Sequence, residues 1–512
     1  MNDWTSGYVA DIGYTYGYYG ELNPLHEKLA MLASGFDIAP CRTACELGFG
    51  QGMSVNIHSA GQPETTYWAT DFNSAQAGFA QQVARASGAS VSLFDQSFEE
   101  FCRRDDLPGF DSIGLHGIWS WISDENRAVI VDFIRRKLNV GGVAYISYNT
   151  LPGWAPVVPM RHLLTEHAAI MGAPGQGIVG RIDGAIAFAE KLMALNPQYS
   201  RFNPIVAERL KSIKDQNRHY LAHEYFNRDW RPMPVAEMAK WLEPAKLSFA
   251  CSAHYMDHID AVNLTQDQQA FLREIPDTLF RETVRDYMVN QQFRRDYWVR
   301  GGRKLTSLEL MDVLRRQRFV LAAPRQNLSL KVKGALGEVE PTAAIYDPIL
   351  DAFADNQPKT LSQIEQLVKD KNINIAQLRE AAIILCGSGF LHPAQEDRQI
   401  VKAKPHTDRL NAFLIDKSRS SNDVTHLASP VTGGGIVVPR FNQMFLKAKT
   451  LGKKTPVEWA DMTWQILASQ GQRILKDGAT LQSPQANLDE LTTQAKSFAE
   501  INLPSLKTLG IA

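Results

Sequence analysis

The residues most suited to chemistry begin in Thr43-Ala-Cys-Glu-Leu-Gly-Phe-Gly-Gln-Gly-Met-Ser54. An apolar run, three glycines (Gly48, Gly50, Gly52) and a second apolar segment predict a strand, a tight turn and a helix. Glycine permits both the bend and a ligand's close approach to the amides at a helix start. The spacing is G-x-G-x-G, whereas a dinucleotide fingerprint places its third glycine three residues after the second. Glu46, two positions before the first glycine, would also repel a pyrophosphate. It suits a ligand with a cationic end. S-Adenosylmethionine, which carries an ammonium and a sulfonium, is the cofactor expected at this turn.

Further binding residues follow at the ends of later strands. Thr66 to Asn73 reads as a second strand ending in Asp71, 19 positions past Gly52. There a carboxylate would hold a ribose diol. Phe72 and Asn73 extend the binding set, and Asn73 also reads as the cap of the helix Ser74 to Ala86. After a third strand, Val91 to Asp95, the residues Gln96, Ser97 and Phe98 lie where an adenine edge and face would be met. His116 and Gly117 close a fourth strand that starts at Phe110. Ahead of all these, Tyr8, Tyr14, Tyr16, Tyr18 and Tyr19 crowd a short segment. Tyrosines there could cover a bound ligand, with Tyr14 and Tyr18 as the contacts, or could form an aromatic plug on the core.

The elements that must position these groups alternate. Strands at 43–47, 66–71, 91–95, 110–116 and 143–148 are separated by helices with apolar stripes, for example Val129, Ile130, Phe133, Ile134 and Leu138. That order argues for a Rossmann-like α/β sheet of mostly parallel strands. Residues 155–222 read as helices only, then 237–252 as one more helix and strand. The helical stretch is therefore an insertion in the sheet domain, expected over the carboxyl ends of the strands. The domain division that follows is 1–265 for the sheet domain, 266–335 for a helical regulatory or linker region, 336–400 for a winged-helix-like module and 401–512 for a C-terminal domain. Arg281 to Lys304 reads as a charged helix with seven Arg or Lys against three acids. Interleaved signs suit a solvated face or an intrachain ion-pair network, and nucleic-acid contact is not expected. Gly433-Gly-Gly435 lacks the following Lys-Ser/Thr of a phosphate loop.

Composition excludes several classes. The 512 residues are 44% hydrophobic and 21% charged, with a net charge of −1. No global field favours an anionic partner. No apolar run follows Met1 and none approaches 18 residues, so neither a signal peptide nor a membrane span is expected. Cys41, Cys45, Cys102, Cys251 and Cys386 are scattered, which suits free thiols in a reducing cytoplasm and no metal site.

With these motifs in place, residues 43–149 resemble class I S-adenosylmethionine-dependent methyltransferases. The match rests on Glu46-x-Gly48-x-Gly50-x-Gly52, Asp71, Asp95 to Phe98, His116 to Trp121 and Gly141-Gly142. Ser147 to Trp154, His223 to Asn227 and Arg285 to Asp296 resemble the family with a methyltransferase regulatory domain. The chain is similar to bacterial protein-lysine methyltransferases that modify an outer-membrane protein. The resemblance implies a cytoplasmic enzyme, a protein lysine as acceptor, no membrane contact and room for a homodimer. Glu46 would pair with the methionine ammonium. His116, Trp119 and Trp121 after the fourth strand, with Tyr148, Asn149 and Trp154 after the fifth, would meet the acceptor. Aromatic walls attract an ammonium by about 0.5–2 kcal/mol. Core packing is the alternative for Trp119 and Trp121. A small-molecule methyltransferase and a cofactor-sensing binding protein without catalysis are the rival readings.

Overall fold

The computed structural model describes residues 15–325, 328 and 330–512. Tyr8 and Tyr14 lie outside the described residues. Seven strands form the principal sheet: β1 (Thr43–Leu47), β2 (Thr66–Thr70), β3 (Val91–Phe94), β4 (Phe110–Leu115), β5 (Leu138–Asn149), β6 (Leu247–Ser252) and β7 (Phe293–Arg300). Their order is β3-β2-β1-β4-β5-β7-β6. The first five run parallel, and β7 is antiparallel to both β5 and β6. The order reverses beside β1, which leaves a crevice at the carboxyl ends of β1 and β4.

Helices α1 (Pro24–Ala33), α2 (Met53–Gly61), α3 (Ser74–Ser87), α4 (Phe98–Cys102) and α5 (Asp124–Lys137) cover the sheet. Local chemistry explains where they start. The Asn73 side chain accepts from the Ala75 and Gln76 amides, and Ser123 caps α5 ahead of Asp124 and Glu125. Ser97 and Glu100 satisfy each other's backbone amides as a capping box at α4.

Strand β7 corrects the sequence reading. The helix Thr278–Val289 ends at Asn290, whose φ of +50° is left-handed, and the chain then enters the sheet. The expected helix over Arg281 to Lys304 is thus half helix and half strand, and the sheet domain extends past 265 to Arg300. The run Arg294-Arg-Asp296 hides a central strand because its charges are compensated inside the protein. Arg294 donates to Asp286, Asp296 and Glu282 at 2.6, 2.9 and 3.0 Å, and the phenol of Tyr148 donates to Asp296 at 2.6 Å.

The insertion consists of α6 (Val158–Ile170), α7 (Gly177–Ala194) and three shorter helices ending at Tyr225. It has its own core, in which Trp154, Leu164, Ile186, Val206 and Tyr225 are buried together. Downstream, Arg318–Leu321 is the middle strand between Lys359–Thr360 and Leu391–Pro393. The winged-helix-like module therefore draws in a strand from before 336. Its third helix, Ile375–Gly387, buries seven residues, and Gly387 lies against Met256. The helix that a DNA-binding wing would expose is covered by the sheet domain. At the C-terminus, the helix Asp397–Lys417, the hairpin His426–Ser429 and Gly434–Val437, and four further helices share a core with Ile57 of α2 and Val83 of α3. Among the described residues no helix is long and apolar enough to cross a membrane, and no three His, Cys, Asp or Glu converge on a metal site. All five cysteines are free.

Candidate active site

A cavity of about 520 Å³ opens at the carboxyl ends of β1, β2 and β4. Gly48, Phe49, Gly50 and Gln51 of the turn form its floor, and Asp71, Phe72 and Asn73 one side. Gln96, Ser97 and Phe98 close the adjacent end, while His116, Gly117 and Trp121 stand opposite. The sequence motifs thus converge from four strand ends that are far apart in the chain.

The turn needs glycine for different reasons at different positions. Gly48 and Gly50 have φ of +75° and +58°. A Cβ on Gly48 would lie 2.4 Å from the Ile118 side chain. Gly52, with φ of +70°, faces away from the cavity, and a Cβ there would meet Ala80 at 2.5 Å. It serves the packing of α2 on α3 and does not line the cavity.

Two acids sit behind and beside this floor. Asp71 accepts from the Gly50 amide at 2.8 Å and the Asn73 amide at 3.0 Å, which braces the turn against the end of β2. Burial nevertheless pushes its carboxyl up to about 6, against the pull of those two amides. Glu46 is buried in β1 and is not on the cavity wall itself. Burial, and then the charge of Asp71, pushes Glu46 up to about 8. Neither acid forms an ion pair among the described residues. A buried carboxyl without a cation is costly to ionise and gains most from a cationic ligand.

The opposite wall is aromatic. Tyr19 stacks on His116 with ring centroids 3.6 Å apart and planes 18° apart, and the Tyr19 amide donates to Ser54 Oγ at 2.8 Å. His116 Nδ1 is 2.8 Å from the Tyr145 hydroxyl. Burial lowers His116 to about 4, although Glu21 opposes the shift, so the ring is neutral at pH 7. The Gly117 amide donates to Ser147 Oγ at 2.7 Å. Trp121 is backed by Trp230 at 6.0 Å, and Trp230 by Trp154 at 5.2 Å, which ties the insertion to the cavity wall. Asp229, next to Trp230, reaches the cavity itself.

Several expected residues lie elsewhere. Tyr148 is 1% exposed, its hydroxyl committed to Asp296. Trp119 is fully enclosed, with its indole nitrogen 3.4 Å from Met233 Sδ. Asn149 is buried, with its backbone bonded to Ser120 and Met233. None of the three reaches the cavity: Tyr148 and Asn149 lie at the end of β5, interior to the sheet, and the chain at Met233 roofs both Asn149 and Trp119. Trp154 is held in the insertion's core. Tyr18 turns away from the cavity onto His58 and His426. Tyr19, named in the tyrosine segment but not chosen as a contact, takes the place expected of Tyr18, and the residues missed include Thr15, Gly17, Gln76, Asn126 and Asp229. An extended segment sends alternate side chains to opposite faces. The sequence shows that alternation in residues 15–19 but not which parity faces the ligand. Asp229 carries no local signal, because only the return of the chain from the insertion places it.

The strand order, the glycine turn and the acid after β2 together are those of the class I methyltransferase fold. Residues 217–300 match the family model described as "Predicted methyltransferase regulatory domain". A Synechocystis protein described as uncharacterized, sll1526, is 42% identical over 513 residues, which span 99% of this chain and 100% of that one. The chain belongs to the same family. An uncharacterized protein of Rickettsia prowazekii, RP789, is 26% identical over 54% of this chain and 49% of its own length. Among solved structures, PKMT2 from Rickettsia typhi in complex with AdoHcy superposes with a TM-score of 0.69, covering 96% of this chain and 99% of that one at 18% identity. The shared fold therefore extends beyond the sheet through the helical insertion, the winged-helix-like module and the C-terminal module.

Proposed function

We propose that this chain is an S-adenosylmethionine-dependent methyltransferase whose acceptor is a lysine amine of a protein, such as an exported or outer-membrane protein met in the cytoplasm. The observation that carries the cofactor reading is the pair Glu46 and Asp71. Two buried acids adjoin one cavity with no cation paired to either among the described residues, and the cofactor's ammonium would supply the missing charge. Asp71 retains free lone pairs for ribose hydroxyls, and Gln96 and Phe98 stand at the far end for adenine. AdoHcy, the demethylated form of this cofactor, is bound by the Rickettsia typhi relative.

The acceptor reading rests on the other wall. Tyr19 and Trp121 offer ring faces, and Asp229, which also pairs with Arg228 at 2.9 Å, a carboxylate, a combination that attracts an ammonium. Desolvation among those groups favours the neutral amine, which is the nucleophile. Its lone pair attacks the methyl carbon as the carbon–sulfur bond breaks, and the sulfonium leaves as a neutral thioether. The chain's part is to hold donor and acceptor in line and keep water out. His116, being neutral, adds no like charge beside the sulfonium.

The test is transfer of a radiolabelled methyl group from the cofactor to proteins of a cell lysate, followed by digestion and analysis of the labelled amino acid. Label on lysine is expected, and Asp229→Asn should raise the KM for the protein acceptor while leaving cofactor affinity unchanged. Label confined to small molecules, or to another amino acid, would overturn the lysine reading.

A further inference from the structure

Residues 15–19 form an extended strap whose alternate residues serve different parts of the molecule. Thr15, Gly17 and Tyr19 line the cavity. Tyr16 and Tyr18 point the other way. Tyr16 packs edge-on against Phe79 at 5.1 Å. The Tyr18 ring lies 4.8 Å from that of His426, and its hydroxyl is 3.1 Å from His58 Nε2. His426 begins one strand of the C-terminal hairpin, and the triple glycine begins the other. A Cβ on Gly434 would lie 2.5 Å from the Tyr18 hydroxyl, and one on Gly435 would meet the ring at 3.0 Å. The glycines that form no phosphate loop are thus the seat on which Tyr18 rests.

That seat is fixed to the body of the protein. Gln62 donates to Asn23 Oδ1 at 2.8 Å and to the Gly433 carbonyl at 3.0 Å. Gln395 donates to the carbonyls of Gly61 and Pro430, each at 2.7 Å. The hairpin, the end of α2 and the start of α1 are one hydrogen-bonded unit, and the strap is laid over it. Tyr19 follows Tyr18 directly, so the placement of one ring sets the reach of the other onto His116.

We infer that Tyr18 is a positioning residue through which the C-terminal module sets cofactor affinity, by holding Tyr19 against His116. No residue of 397–512 lines the cavity, and besides the core shared with α2 and α3 the strap is the element that links this module to a residue on the cavity wall, Tyr19. The inference rests on the cofactor reading above.

The test is calorimetric binding of AdoHcy to the full chain and to Tyr18→Ala, Tyr18→Phe, Gly435→Ala, Tyr19→Ala and the double variant Tyr18→Ala/Tyr19→Ala. Tyr18→Ala should weaken binding by about tenfold and Tyr18→Phe, which keeps the ring, by less than about threefold. Gly435→Ala crowds the ring from the far side and should weaken binding in a chain whose fold is least disturbed. Because Tyr18 acts through Tyr19, the double variant should bind no more weakly than Tyr19→Ala alone. Additive losses, or unchanged affinity in both Tyr18→Ala and Gly435→Ala, would overturn the inference while leaving the cofactor reading standing. Failure of the unaltered chain to bind AdoHcy would instead strike the cofactor reading.

Discussion

At the carboxyl ends of β1 and β2, Glu46 and Asp71 are both buried, and the charge of Asp71 adds to the cost of ionising Glu46; among the described residues neither is paired with a lysine or arginine. Where β5 meets β7, the buried Asp286 and Asp296 and the half-buried Glu282 surround a single guanidinium, that of Arg294, and Tyr148 donates to Asp296. Both clusters lie on the same sheet. The second has its cation built in, and none of its residues lines the cavity described above. The first is incomplete and opens beside a cavity of about 520 Å³. Burial of charge marks a binding site only where the countercharge is missing and there is space to admit it.

The comparison is broken most forcefully at Arg294. Arg294→Met removes the cation that Asp286, Asp296 and the half-buried Glu282 share, and burial already pushes Asp286 up to about 7 with Arg294 present. Loss of one partner from such a cluster costs about 3–5 kcal/mol. Urea unfolding should show that loss, whereas Glu46→Gln, which removes a carboxyl that has no cation, should leave the apo protein as stable as before or more so. Equal destabilisation by the two would mean that the clusters do not differ in kind.

The next effect is on binding. Asp71→Ala removes the brace of the Gly50 amide and the partner for the ribose. The dissociation constant for the cofactor should rise tenfold or more, about 1.4 kcal/mol. Calorimetry giving the same constant for both proteins would remove Asp71 from the site.

The same contrast explains what was legible in the chain. The cofactor side is local: Glu46 and the turn lie within seven residues, and Asp71 ends the next strand, so spacing alone carries Glu46, Gly48, Gly50 and Asp71 into one place. Gly52 carries the same signal and has a packing role, because a left-handed backbone position looks alike in sequence whether a ligand or Ala80 stands beside it. The acceptor side is assembled from distant pieces. Tyr19 comes from before the first strand and Asp229 from beyond the insertion, and neither has a neighbour in sequence that announces it. Tyr148 near the end of β5 and Trp119 just after β4 have the right position along the chain but the wrong depth, which only packing decides. Strand β7 was hidden for the reason that makes its cluster complete. Arg294 and Asp296 neutralise each other inside the sheet, and a sequence pattern counts them as solvent-facing charges.

The smallest effect sharpens the comparison through pH. An acid whose native pKa is raised keeps its proton where the unfolded chain has lost it, so its contribution to stability falls as pH rises between the two values and then levels off. For Glu46 that window runs from 4.5 to about 8, and for Asp71 from 3.8 to about 6. The ammonium of a bound cofactor favours the ionised carboxyls, so binding should release protons near neutral pH and tighten as pH rises from 6 to 8. The gain should be on the order of 1 kcal/mol, since the charge on Asp71 continues to oppose that on Glu46. Calorimetry in buffers of different ionisation enthalpy measures the release directly. Saturating AdoHcy should raise the Tm more at pH 8 than at pH 6, and Glu46→Gln should flatten the difference. An equal Tm shift at the two pH values, with no proton release, would mean that Glu46 keeps one protonation state on binding and does not serve as the countercharge of the ammonium.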